Sequence, residues 1–449
     1  MKKVLLIAYN YFQKESIGSN RTRGLCKYLP EYGWEVTLIT AIDSKSLRVI
    51  QSDQNKIIPC VSGARILNQL MSLFHHKPKC VDSINLDVKN KSFQNELFFN
   101  LLSSYWKSVK FVIWPYLLTY FFYPDGQGEW YKSCVNVGIS ELSHSKYDAI
   151  LSTCDPFTSH CIARTLKNFS GLPWVADYRD LWAQRHYLKR TKKLIQKDNQ
   201  YELDIIQSAD VLTTVSQIFA EELSAFHHKQ VYVIENGFDP ESMNIGTPLN
   251  DKFTISYTGS LFWESAYNPL PLLIALSELI NDGTISEDDV DVRFYGKNWS
   301  EWLNKDINRL GLNECVHQYG FLNKEKITEV QRSSQILLLL LWNSPGGEGV
   351  LTGKLYEYLA ARRPILALGG EKSNDVPNIL LKTRSGKYVS EVSDLKKQLI
   401  SWYISYKRTG FVPYEGIDDE ISAHDHRFMA SKFASILHTL TEMETNKQK

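Results

Sequence analysis

The sequence predicts an α/β protein of two doubly wound, Rossmann-like domains facing a central cleft. Three observations lead there. The chain has 449 residues, more than one ordinary core organises, and two domains are the first expectation. Unbroken apolar runs of strand length, such as Val4 to Tyr9 and Ile336 to Trp342, mark strands buried on both faces. The strand–helix alternation halts at a linker, Pro240 to Asp251, and then starts again. The implied boundaries are 1–240 for an N-terminal domain and 250–415 for a C-terminal one, with a helix in about 420–449 packing back on the first. Two such halves leave a cleft between them, the usual place for a small-molecule site.

Each element has its own signal. After the Val4 to Tyr9 strand, Tyr11 to Asn20 reads as a loop containing Gly18. From Arg21 a helical pattern sets Leu25, Tyr28 and Leu29 on one face, with Gly33 where a C-cap belongs, and Glu35 to Thr40 is the next strand. This opening lacks G-x-G-x-x-G, so a dinucleotide is not expected. Lys45 to Ser92 is polar and irregular. Phe111 to Tyr123 is strongly aromatic and reads either as a buried helix interrupted by Pro115 or as an interfacial segment resting on lipid headgroups. Tyr147 to Thr153 is a strand, Pro156 to Leu166 a helix carrying His160, and Trp174 to Asp177 a strand running into D-Y-R-D-L-W. Charged residues at the C-terminal end of a buried strand are where open α/β sheets keep their sites. The basic stretch Arg185 to Lys197, with Arg190, Lys192 and Lys193, is a solvated helix face or an attraction to anionic lipid. Ala209 to Ser216 and Val231 to Glu235 complete the first half. The second half brings strands at Phe253 to Tyr257, Val292 to Tyr295 and Cys315 to Tyr319, helices at Pro269 to Leu279 and Trp299 to Leu310, and a closing amphipathic helix from Ser431 to Leu440.

Composition narrows the classes. With 43% hydrophobic and 22% charged residues and a net charge of +1, the chain is globular and has no bulk charge for nucleic acid, so none is expected as a partner. Seven scattered cysteines without a C-x-x-C pair read as reduced thiols, neither a disulfide frame nor a zinc site. The N-terminus lacks a signal-peptide pattern and no run reaches the length of a membrane span. A cytoplasmic protein is expected, at most peripheral on the inner face of the cytoplasmic membrane.

The stretch with the most chemistry is Pro345 to Pro364, P-G-G-E-G-V-L-T-G-K-L-Y-E-Y-L-A-A-R-R-P. A buried strand precedes it. A glycine-rich loop then leads to Thr352, a good N-cap, and to a helix with Leu355, Tyr358 and Leu359 on one side, stopped by Pro364. Free N–H groups and the helix dipole converge at the loop's end and attract an anion. Lys354 adds a positive charge in the first turn, and Glu357 lies one turn deeper. A diphosphate at the first and a sugar diol at the second outline a nucleotide-sugar site. The plainer reading is a tight turn with Lys354 and Glu357 paired at (i, i+3). A P-loop is excluded, because it would need Gly where Glu348 stands and Ser or Thr where Leu355 stands.

Several short motifs in order give the chain a family likeness. They are the opening strand with its Gly18 loop and Arg21 helix, V-A-D-Y-R-D-L-W at 175–182, V-I-E-N-G-F-D at 233–239, Y-T-G-S-L at 257–261, Y-G-F-L at 319–322 and T-G-K-L-Y-E-Y-L-A-A-R-R-P at 352–364. Together they resemble the retaining glycosyltransferases of the GT-B fold, specifically glycosyltransferase family 4. The A-D-Y-R-D-L-W segment and P-D-x-x-x-x-W (Pro124, Asp125, Trp130) look most like the branch that builds bacterial surface polysaccharides. The resemblance implies that Glu357 holds the donor's ribose hydroxyls and that Thr352, Gly353 and Lys354 lie at the diphosphate. Gly18 and Gly259 would let backbone approach it. On the acceptor side it points to Arg179, Asp180 and His160, with Asp180 a candidate base or orienter. Asp180, Glu348 and Lys354 are the candidate catalytic residues.

Two departures accompany the likeness. The family's acidic pair is E-x7-E, whereas Glu348 and Glu357 are nine apart. Either the loop is one residue longer and Glu348 still reaches the transferred sugar, or that contact is absent. The basic residue many members carry after the Y-x-G strand is also missing between Trp263 and Pro269, leaving Lys354, or Arg21 and Arg23, to supply its charge. No D-x-D stands where a metal-dependent transferase would use it, Asp288 to Asp291 reading as surface, so neither metal nor cofactor is expected. The expected activity is sugar transfer from a nucleoside-diphosphate sugar to a saccharide or lipid-linked acceptor. A GT-B epimerase and a catalytically silent sugar-nucleotide-binding homologue are the alternatives.

Overall fold

The structure, a computed structural model, describes residues 1–12, 17–42, 49–51, 55–61, 123–185, 190–243, 246–261, 267–296, 300–343, 347, 349–370 and 375–447. Glu348 and the stretch 111–122 lie outside the described residues.

The first half supplies strands β1 (Lys2–Ala8), β2 (Trp34–Ile42), β3 (Ile50–Gln51), β4 (Asn55–Val61), β5 (Ala149–Cys154), β6 (Trp174–Tyr178), β7 (Val211–Thr214) and β8 (Val231–Val233). They form one sheet in the order β3-β4-β2-β1-β5-β6-β7-β8, parallel throughout except for the two-residue β3. Its helices are α1 (Ile17–Tyr28), α2 (Gly128–His144), α3 (Thr158–Ser170), α4 (Lys192–Ile206) and α5 (Gln217–His227). The second half pairs β9 (Phe253–Thr258), β10 (Val290–Tyr295), β11 (Val316–Gly320), β12 (Ile336–Leu341), β13 (Ile365–Gly369) and β14 (Gly386–Val389) in the order β11-β10-β9-β12-β13-β14, all parallel. Its helices are α6 (Leu270–Asn281), α7 (Glu301–Arg309), α8 (Lys324–Ser333), α9 (Gly353–Ala361), α10 (Asp375–Thr383) and α11 (Val392–Thr409). The short α12 (Asp418–Ser422) and the long α13 (His426–Lys447) close the chain. Parallel pairing explains the sequence signal, since a strand covered by helices on both faces is apolar at every position. All six residues of β12 are buried.

Strand order fixes where ligands belong. In the first sheet the order reverses beside β1, and in the second beside β9, between it and β12. An open α/β sheet binds ligands outside the carboxyl ends of its strands at such a switch point. The helix after β1 is α1 and the helix after β12 is α9, so both sheets place a helix N-terminus there.

Two chain crossings join the halves and lie side by side. Phe238 N–H donates to the His424 carbonyl at 3.3 Å, and His426 N–H donates to the Phe238 carbonyl at 2.8 Å. After this crossing α13 lies against the N-terminal half. Met429, Phe433 and Leu437 share a buried cluster with Leu25, Tyr28 and Trp34, and Trp34 Nε1 donates to His438 Nε2 at 3.2 Å.

One boundary differs from expectation at the site. The helix α1 begins at Ile17, where turn-forming Gly18, Ser19 and Asn20 suggest a loop. The reason is tertiary. Ser19 is wholly buried, and the Gly18 carbonyl accepts from Arg179 Nη1, so this turn is held from outside the helix. The P-D-x-x-x-x-W motif is structural as well. The Asp125 carboxylate accepts from Thr158 N–H at 2.8 Å and Thr158 Oγ1 at 2.6 Å, bracing the start of α3, and buried Trp130 packs edge-on to Tyr9.

Candidate functional site

The C-terminal wall of the site is built from β9, α8 and α9. Thr352 caps α9, its Oγ1 accepting from Lys354 N–H at 3.4 Å. Lys354 then runs back across the end of β9. A Cβ placed on Gly259 would stand 2.0 Å from Lys354 Cε, so any larger residue there would displace the end of that side chain. The Lys354 ammonium lies 5.8 Å from the Tyr257 ring centroid and makes no ion pair among the described residues. Burial lowers its pKa, while the negative charge of Glu357 opposes that shift. A cation held beside a helix N-terminus without a carboxylate partner is arranged for an anion.

Glu357 lies a turn further, partly buried, and shares a face of α9 with Gly353, Ala360 and Ala361 that opens on the interdomain cleft. That cleft has a volume of about 640 Å³. Its other walls are Asn20, Arg23 and Gly24 of α1, the crossing Asn236 to Asp239, His426, and Lys324, Thr328, Gln331 and Arg332 of α8. Glu357 Oε2 accepts from Gln331 Nε2 at 3.2 Å. The plain (i, i+3) pairing of Lys354 with Glu357 does not form.

The N-terminal wall is organised around an internal ion pair. Arg21 donates to Asp177 through Nε–Oδ2 at 2.9 Å and Nη2–Oδ1 at 2.8 Å, both side chains at most 1% exposed. Its other donors reach the carbonyls of Ile234 at 2.9 Å and Glu235 at 2.8 Å. Asp177 also accepts from Thr153 Oγ1 at 2.7 Å and Thr213 Oγ1 at 2.8 Å. Burial by itself would raise the Asp177 pKa, but the Arg21 charge and these hydroxyls hold it below the usual carboxylate value. Of the cations the sequence offers for the phosphates, Arg21 has its charge and donors engaged by its own fold. Arg23, which also lines the cleft, meets Asn20 Oδ1 at 2.7 Å.

The acceptor-side expectations divide. Arg179 donates to the carbonyls of Cys154, Gly18 and Asp155. Through these three bonds it fastens the ends of β5 and α1 together. His160 is a core residue. It is fully buried, bonded through Nδ1 to Ser152 Oγ at 2.8 Å, and set between Trp174 and Tyr178. Burial pushes its pKa down to about 3, so the ring is neutral at pH 7. Asp180, half-buried after β6, accepts from Leu181 N–H at 3.0 Å. In the basic stretch, Arg190 pairs with Asp198 at 2.8 Å and bonds the Ala183 carbonyl, while Lys192, Lys193 and Lys197 are exposed. Asp289 and Asp291 of the acidic run are held by Lys407 and Arg293.

Sequence reasoning missed Gln331, Lys324 and His426. The first two sit on α8, whose only signal is the Asn323 cap and a polar amphipathic pattern. Among the described residues no group of three or more His, Cys, Asp or Glu is placed to hold a metal ion. No helix among them is long and apolar enough to cross a membrane.

By sequence, no protein-family model and no curated protein matches the chain. Solved structures match along its whole length. Sucrose-phosphate synthase from Thermosynechococcus elongatus has a TM-score of 0.61 at 12% identity, covering 99% of this chain and 100% of its own. HepE from Anabaena, in complex with UDP and glucose, has a TM-score of 0.58 at 12% identity, covering 98% and 100%. A putative UDP-N-acetylglucosamine 2-epimerase from Listeria monocytogenes has a TM-score of 0.51 at 14% identity, covering 99% and 98%. Identities this low establish architecture, and the architecture is the GT-B fold.

Proposed function

We propose that the protein is a glycosyltransferase that moves a sugar from a nucleoside-diphosphate sugar to a saccharide or lipid-linked saccharide, with retention, in capsule, O-antigen or exopolysaccharide synthesis. The observation that carries this reading is the opening of α9 at the switch point, with Lys354 lying over Gly259 without an ion pair among the described residues and Glu357 lining the cleft. A diphosphate at the α9 N-terminus would meet Lys354 and free N–H groups, and the ribose diol would meet Glu357. HepE's UDP-glucose complex supports a UDP-sugar as donor.

In the proposed reaction the bond from the sugar C1 to the diphosphate oxygen breaks and a bond from C1 to the acceptor oxygen forms on the same face. Charge develops on the leaving diphosphate, where Lys354 and the helix N-terminus stabilise it as it appears. The acceptor proton passes to a leaving phosphate oxygen, so no protein base is required. Asp180 orients the acceptor in this scheme, and Gly18 lets the N-terminal helix approach the diphosphate.

Thermal shifts with UDP, GDP, dTDP and CMP and their sugars, on wild type and Glu357→Ala, test the donor site. Binding at a hundredfold excess over Kd stabilises the folded form by about 2.7 kcal/mol. A shift lost in the variant supports the reading, and silence across the panel counts against a nucleotide-sugar donor site. The Listeria neighbour's title motivates a second reading, an epimerase acting on a bound UDP-sugar. Product formed without any acceptor would select it.

A further inference from the structure

Glu357 is not a free carboxylate on a helix face. The Gln331 side-chain amide, 3% exposed, has two N–H donors. Its Nε2 lies 3.2 Å from Glu357 Oε2 and 2.9 Å from Thr258 Oγ1. Thr258 is fixed in turn, because its N–H donates to Tyr358 Oη at 3.0 Å. The chain Tyr358–Thr258–Gln331–Glu357 therefore ties α9, the carboxyl end of β9 and α8 together, and it ends on a carboxylate that lines the cleft.

Resting on the donor site above, we propose that Gln331 is a positioning residue that sets Glu357 to accept from both ribose hydroxyls, so that the protein selects ribonucleoside diphosphates over their 2′-deoxy forms. An ionised carboxylate accepts at about four positions. Gln331 takes one on Oε2 and leaves the others, on Oε1 and Oε2, to a ligand in the cleft that Glu357 lines. A vicinal diol presents two donors that match this pair. A loosely held glutamate would turn to follow one hydroxyl and lose little when the other is missing. A glutamate held from behind cannot turn, and a missing 2′-hydroxyl leaves one of its acceptors unpaired. Sites built around a substrate hydroxyl reject the analogue lacking it for this reason.

Calorimetric titration of UDP, GDP and ADP, each against its 2′-deoxy form, tests the proposal on wild type, Gln331→Met and Glu357→Ala. Wild type is expected to bind the preferred ribonucleotide roughly tenfold or more tighter than its deoxy form. In Gln331→Met that ratio falls toward about one, chiefly through weaker ribonucleotide binding, while Glu357→Ala loses the preference outright. A parallel loss for both forms with the ratio preserved makes Gln331 a packing residue only and overturns the proposal. Should Gln331→Met not fold, Thr258→Val removes the second anchor of the amide. A reduced ratio then supports the proposal, and an unchanged ratio overturns it. Binding abolished by Glu357→Ala with an unchanged ratio in Gln331→Met sinks this proposal alone. Absence of ribonucleotide binding to wild type sinks the donor reading with it.

Discussion

The two walls of the cleft carry similar charges and treat them in opposite ways. On the N-terminal wall Arg21 is neutralised by Asp177, and Arg179 is bound to three carbonyls. On the C-terminal wall Lys354 has no ion pair among the described residues, and Glu357 accepts one side-chain hydrogen bond among them, from Gln331. Buried charges bonded to their own fold hold the backbone in place. Charges of the same types left short of partners at a helix N-terminus can take a ligand. Residue type does not separate the two walls; the bonding of each group does.

The largest test of this contrast is Asp177→Ala, which leaves Arg21 buried without its counter-charge. Breaking a buried pair in this way costs about 3–5 kcal/mol, read as a lower midpoint in urea unfolding. A loss under about 1 kcal/mol would mean that the N-terminal wall does not depend on the pair. The pH direction follows from the depressed Asp177 pKa. Its contribution is complete above the unfolded value of about 3.9 and disappears as pH falls through the lower folded value.

Lys354→Ala should act on the other wall. Removing a donor aimed at developing charge slows transfer by about 10²–10³-fold, whereas folding stability should move little. Equal injury to stability would place Lys354 among the structural charges and erase the distinction.

His160 offers a smaller test away from the cleft. Its folded pKa of about 3 lies below the unfolded value of about 6.5, so the unfolded chain takes up the proton first. Wild-type stability is expected to fall as pH drops from about 6.5 toward 3, and His160→Gln should flatten that slope. An unchanged slope would shift the acid lability to other groups, His426 among them, whose pKa burial pushes down to about 4.

The smallest effect concerns the surface. Making Lys192 and Lys193 neutral should weaken binding to anionic vesicles by about 1 kcal/mol per charge if the basic helix meets a membrane. Unchanged vesicle binding removes that route from the proposed localisation.

Several features of this molecule were legible before any coordinates. Ile336 to Leu341 announced a central parallel strand, because a strand covered on both faces admits only apolar residues. Thr352 marked a capped helix start with Lys354 and Glu357 in its first two turns, because caps and first-turn charges act within a single turn. Those signals are local, carried by periodicity or by neighbours three and four apart. What the tertiary structure decided is who meets whom across long separations. Arg21 meets Asp177 156 residues away, which satisfies its charge inside the fold, and Arg179 reaches the Gly18 carbonyl 161 residues away and holds the first turn of α1. His160 turns under the sheet to Ser152 instead of toward the cleft. Gln331 reaches Glu357 only because strand order packs α8 beside α9. A sequence shows which side chains can carry charge or donate a hydrogen bond. Whether a given one is bonded to its own fold or left for a ligand depends on partners that only the packed chain brings within about 3 Å.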